Sequence, residues 1–109
     1  MSNQELFKKA NTALAEGNYF EFIACCADNI VWKNIGSHTY NGKSELLNYI
    51  RSTYTKVSFT PENIIHENDF IVELGKLVSE VNGNSKKGSY CDIWNFKDGK
   101  INQFTSFVI

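Results

Sequence analysis

Apolar positions recur every three or four residues in the first half of the chain and every second residue in the last half, so the two halves call for different elements. The stretch "SNQELFKKANTALAEG" places Leu6, Phe7, Ala10, Ala13 and Leu14 on one stripe, with Ser2 and Glu5 at capping-box spacing and Gly17 as a stop. It predicts a helix. "NYFEFIACCADN" predicts a second, shorter one, with Asn18 and Glu21 as the cap and Tyr19, Phe22, Ile23 and Cys26 as the apolar face. "IVWKNIG" is short, β-branched and aromatic, a strand that ends at Gly36 and enters the loop "SHTYNG". "KSELLNYIRSTY" returns to helical spacing through Leu46, Leu47, Ile50 and Tyr54.

Four strand-like runs follow: Lys56 to Glu67, Phe70 to Val81, Gly88 to Lys97 and Lys100 to Ile109. Turn chemistry separates them: "ENDF", the loop "NGNSKKG", and "KDGK", whose Asp98-Gly99 pair is a strong hairpin signal. Pro61 places a bulge or a sheet edge in the first run. The short connections make these strands antiparallel neighbours, and the predicted fold is α+β, a curved sheet with three helices on one side.

The 109 residues, 42% hydrophobic and 21% charged, fit one globular domain spanning 1–109 with a core of its own. A formal net charge of -1 with scattered lysines gives no footprint for nucleic acid. No apolar window reaches membrane-span length and "MSNQELFKKA" lacks the apolar region of a leader, so neither a membrane nor secretion is expected and the cytoplasm is the expected location. Cys25, Cys26 and Cys91 are read as reduced structural thiols, with at most one of the adjacent pair pointing squarely into the core. They and the two histidines form no recognisable metal set, and no cofactor is expected.

Candidate chemistry centres on "YCDIWNF", where Tyr90, Asp92, Trp94 and Phe96 share one face of a strand. A carboxylate among three aromatics has to be paired, protonated, hydrated or turned to an open face. A ligand-facing acid and a structural ion pair or solvated face are the two readings of Asp92. Trp32, Tyr90 and Trp94 are candidate pocket walls, their polar atoms needing partners if buried. On Phe70 to Val81 the set containing Val72, Leu74 and Val78 is the more apolar, which makes Leu74 a candidate wall and sends Glu73 and Ser79 outside. His38 lies in the loop beside the expected pocket mouth, though exposure or a backbone bond is the commoner role for such a histidine.

The element order, "EGN" after the first helix, "DNIVW" leading into "YNGKSELLNYI", and "DIWNFKDGKI" near the end together resemble the SnoaL-like and ketosteroid-isomerase-related branch of the nuclear transport factor 2-like superfamily. The resemblance runs from about residue 10 to residue 108. It implies a cone-shaped, mostly antiparallel sheet of the cystatin-like α+β roll type, with three helices over the concave face, an apolar pocket, and a homodimer through the outer face of the sheet. It also implies that Asn102, Phe104, Ser106 and Val108 point inward, which makes Phe104 a ligand-binding candidate. In the ketosteroid isomerases the aspartate matching Asp92 keeps its proton and donates to an oxyanion. The base aspartate and donor tyrosine of those enzymes correspond here to Lys33 and Ala10.

The functional expectation is therefore a small hydrophobic molecule in the cone, bound without cofactor, with Asp92 as acid or hydrogen-bond donor and Lys33 as its partner. Isomerase, cyclase or hydratase chemistry is one reading. Binding without chemistry, or a dimeric interaction module, is the other.

Overall fold

The computed structural model describes residues 1–109, the side chain of Thr55 being left aside. Three helices, α1 (Asn3–Ala15), α2 (Tyr19–Ala24) and α3 (Gly42–Thr53), lie in the first half with strands β1 (Cys26–Asn34) and β2 (Thr39–Asn41). A single 3-10 turn, Tyr54–Lys56, leads into β3 (Val57–Glu67), β4 (Phe70–Val81), β5 (Asn84–Lys97) and β6 (Lys100–Val108). The six strands form one sheet in the order β2-β1-β6-β5-β4-β3. Neighbours are antiparallel except for β1 and β6. No hairpin joins that parallel pair: the chain leaves β1 for the β2 edge, passes through α3 to the β3 edge, and returns through β4 and β5 to β6. Among the described residues no helix is long and apolar enough to cross a membrane.

Helix α1 begins as its sequence dictates, with Ser2 and Glu5 exchanging capping-box hydrogen bonds. At α2 the cap differs: the Asn18 side chain accepts no backbone N–H and instead donates to Glu21 Oε2 at 2.6 Å. The helix stops at Ala24, and β1 starts at Cys26 rather than at Ile30. This break buries both adjacent thiols, because Cys25 closes a helix while Cys26 opens a strand and the helical angle between them no longer applies. Both are free, as is Cys91.

The "SHTYNG" segment contains β2, which pairs Tyr40 with Trp32. "NGNSKKG" is not a loop. Asn82 and Gly83 both have positive φ, 52° and 79°, the geometry of a two-residue hairpin turn, so β5 resumes at Asn84. Asp98 and Gly99 form the same kind of turn between β5 and β6. Strand β3 is an edge, and its pairing with β4 skips one residue between Pro61 and Asn63, so the proline has both the edge and the bulge expected of it.

The core lies between the three helices and the concave face. Trp32 stacks on Phe104 with centroids 3.7 Å apart, and Trp94 meets Phe104 edge-on at 4.9 Å and Phe7 of α1 at 5.2 Å. Phe22, Leu46 and Ile50 bring α2 and α3 into the same buried cluster.

Candidate functional site

The register of the sheet arranges the concave face in rows. One row runs Trp32, Phe104, Trp94, Ile71 across β1, β6, β5 and β4 and is wholly apolar and buried. The next inward row runs Asn34, Ser106, Asp92, Glu73 across the same four strands, and every member is polar. Directly paired residues in a sheet point to the same side, so the four form a polar band beside an aromatic floor.

The band borders a cleft of about 900 Å³ between α1 and the β3–β5 side of the sheet. Its walls include Phe7, Leu14, Tyr54, Phe59 and Trp94, with Asp92 and Glu73 in the lining and Lys8 on the α1 side. A smaller hollow of about 350 Å³ reaches Asn34, Tyr49 and Ser106 and shares Tyr54, Val57 and Phe59 with the first. Volumes of this order suit a small organic ligand.

Asp92 and Glu73 are each 5% exposed and are cross-strand partners, yet their surroundings differ. Glu73 accepts from Asn11 Nδ2 at 3.3 Å on one oxygen and from the Tyr90 hydroxyl at 2.5 Å on the other. Asp92 Oδ1 is buried with no hydrogen-bond partner. Burial pushes the Asp92 carboxyl up from its ordinary 3.8 to about 7, with Ser106 opposing the shift and Glu73 adding to it. Burial, and then Glu73, also raise the Tyr90 phenol, and burial raises Tyr54, so both remain neutral hydroxyls. Trp94 Nε1 is a second buried polar atom without a partner.

Gly75 makes this geometry possible. It sits opposite Tyr90, and a Cβ there would stand 2.8 Å from the Tyr90 hydroxyl and 2.4 Å from Thr60 O. Without a side chain at this position the phenol lies flat across β4 and reaches Glu73.

Of the residues singled out from the sequence, Asp92 and Trp94 line the cleft, while Tyr90 is outside the lining and is bound to Glu73. Trp32 and Phe104 face the same side but are sealed in the aromatic floor, the Trp32 indole donating to Asn34 Oδ1 at 2.9 Å. Trp32 and Phe104 therefore line neither hollow, against expectation, and three further candidates fail as well. Lys33 pairs with Thr105 on the outer face, one position out of phase with Trp32 and Asn34, so it makes no pair with Asp92. Leu74 is opposite Cys91, also outside, because the inward set on β4 is Ile71, Glu73, Gly75 and Leu77. His38 is exposed, its ring 4.8 Å from Tyr40, and lines neither hollow. On β6, Phe104 and Ser106 face inward as expected, but so does Ile101, because a bulge at Asn102 flips the alternation and turns that amide to Asn95.

Glu73 and Asn34 are the residues missed. Glu73 was recoverable: reading Asn82-Gly83 as a two-residue turn pairs Val81 with Asn84 and, counting outward, Glu73 with Asp92. Its misplacement came from judging a strand with apolar residues on both faces by hydrophobicity alone. Asn34 carried no such signal, since its facing depends on a parallel pairing with a distant strand. Among the described residues no group of three or more His, Cys, Asp or Glu is placed to hold a metal ion.

Residues 7–104 match the family model described as the SnoaL-like domain, and the chain belongs to that family, within the nuclear transport factor 2-like superfamily. No curated protein matches it. Among solved structures it is similar to an NTF2-like protein of unknown function from Burkholderia pseudomallei (23% identity, TM-score 0.87, covering 97% of this chain and 90% of that one). Another of unknown function, from Cytophaga hutchinsonii, is 26% identical with a TM-score of 0.81, over 99% of this chain and 100% of that one. A putative SnoaL-like polyketide cyclase from Jannaschia has a TM-score of 0.85 at 12% identity, over 97% and 84% of the two chains, a likeness of fold.

Proposed function

We propose that this SnoaL-like protein binds a small, largely apolar molecule in the cleft beside α1 and that Asp92 is the acid–base group acting on it. The observation that carries the reading is the state of that one carboxyl: 5% exposed, Oδ1 without a partner, at the wall of a cleft of about 900 Å³, and poised at about 7. A group with a pKa near the working pH is available in both protonation states, as proton transfer in an isomerase, cyclase or hydratase requires. Fold likeness to a putative polyketide cyclase is consistent with such chemistry and does not identify the substrate.

Binding without turnover is the second reading. Glu73, the buried carboxyl paired with Asp92 across the strands, has both oxygens engaged by Asn11 and Tyr90, so it is not a free second base. Mass spectrometry of the gently purified protein tests both readings. A retained molecule that is converted by the native protein and left unchanged by Asp92→Asn supports the acid–base role; one retained and never altered supports the carrier.

A second copy of the chain is the proposed protein partner. The outer face of the sheet carries Val72, Leu74, Cys91 and Ile93 half-buried and Phe107 42% exposed, a run of apolar side chains with no helix over it.

A further inference from the structure

We propose that the cleft selects a neutral head group that both donates and accepts a hydrogen bond, seated between Asp92 and Trp94. The inference deepens the ligand-binding reading above and rests on it. Its basis is a coincidence of position. The buried side-chain atoms without hydrogen-bond partners, among the described residues, are Asp92 Oδ1 and Trp94 Nε1. The residues that carry them occupy consecutive inward positions of β5 and both line the same cleft. Elsewhere on the concave face, buried polar atoms are matched within the protein: Glu73 by Asn11 and Tyr90, the Trp32 indole by Asn34.

The two orphans are chemically opposite. An indole N–H donates and never accepts, and Asp92 Oδ1 accepts whenever the carboxyl is ionised or carries its proton on the other oxygen. A ligand ammonium would satisfy Asp92 and leave the Trp94 N–H pointing at a cation. A ligand carboxylate would satisfy Trp94 and bring its charge against Glu73, and against Asp92 as well whenever Asp92 is ionised. A hydroxyl, or a primary carboxamide, serves both at once: its proton goes to Asp92 Oδ1 and its oxygen receives the Trp94 N–H. A head group that offers both functions leaves neither atom unpaired. The walls beyond, Phe7, Leu14, Tyr54 and Phe59, are apolar and aromatic, so the body of the ligand is a ring system or a branched hydrocarbon.

Four naphthalenes substituted at the β position separate the possibilities: the naphthol, the methyl compound, the carboxylate and the aminomethyl cation, each titrated into the native protein by calorimetry. The naphthol binds tightest, about tenfold more tightly than methylnaphthalene, the ratio one well-made hydrogen bond supplies. The indole N–H signal of Trp94, assigned by its loss in Trp94→Phe, moves on adding naphthol and stays in place on adding methylnaphthalene. In Trp94→Phe and, independently, in Asp92→Leu, the preference for naphthol over methylnaphthalene falls toward unity. Should either variant not fold, the other carries the comparison. Tightest binding of the carboxylate or the cation, or a naphthol preference that survives both substitutions, overturns the inference. Equal affinity for all four overturns it while leaving the cleft a ligand site; no binding of any overturns both.

Discussion

Glu73 and Asp92 face each other across β4 and β5, equally buried, and only Glu73 has a protein partner on both oxygens. The difference originates in what surrounds each strand position. Gly75 opens a path for the Tyr90 phenol to Glu73, and α1 supplies Asn11. Asp92 has only Ser106 beside it on β6, and its Oδ1 is left buried without a partner.

Ionising Asp92 weakens the fold. Its folded pKa stands at about 7 against an ordinary 3.8, so the folded state holds a proton that the unfolded chain has released. The contribution is complete below the unfolded value and is lost as pH rises through the folded one. Asp92→Asn stays neutral throughout. Its stability relative to the native protein should be unchanged at about pH 4 and better by on the order of a few kcal/mol at about pH 8. Urea unfolding across that range measures the difference; a gap independent of pH contradicts the assignment.

Neutralising Glu73 should move the Asp92 titration. The charge opposite is one of the causes holding the Asp92 proton, after burial, so Glu73→Gln lowers the midpoint. Lys33→Ala should leave it in place, since Lys33 lies on the other face of the sheet. Carboxyl NMR titration of the two variants distinguishes this arrangement from one in which Lys33 is the partner of Asp92.

Removing the Tyr90 hydroxyl strands a buried carboxylate oxygen. Tyr90→Phe keeps the ring against Phe59 and deletes the bond to Glu73, and should cost about 1–3 kcal/mol in chemical denaturation. A loss below a few tenths of that range indicates that Glu73 finds water instead.

Gly75→Ala should be at least as damaging. The added methyl meets backbone at Thr60 O as well as the Tyr90 ring, so β3 or the phenol has to move. Overpacking of this kind costs about 1–3 kcal/mol, and the indicator of mechanism is a weakened Tyr90–Glu73 bond in the same variant.

A charge on the outer face should keep copies of the chain apart. Phe107→Lys puts a cation at the centre of the proposed self-association surface without touching the core. Sedimentation is expected to show a dimer for the native protein and a monomer for the variant. Identical behaviour of the two removes the outer face from the interface.

Period and turn chemistry in the sequence determined the α+β class, the capped first helix, the Asp98-Gly99 hairpin, the edge at Pro61 and the inward set Tyr90, Asp92, Trp94 and Phe96. These are legible because they depend on neighbours within a few residues of each other. Side-chain facing on β1, β4 and β6 was not. Alternation leaves two choices per strand, and when both faces carry apolar residues hydrophobicity does not choose between them. What decides is register: the Asn82-Gly83 turn for Glu73, the bulge at Asn102 for Ile101, and the parallel alignment with β6 for Asn34 and Lys33. The polar row of Asn34, Ser106, Asp92 and Glu73 therefore exists only in the folded sheet, where four strands far apart in the chain are brought into line.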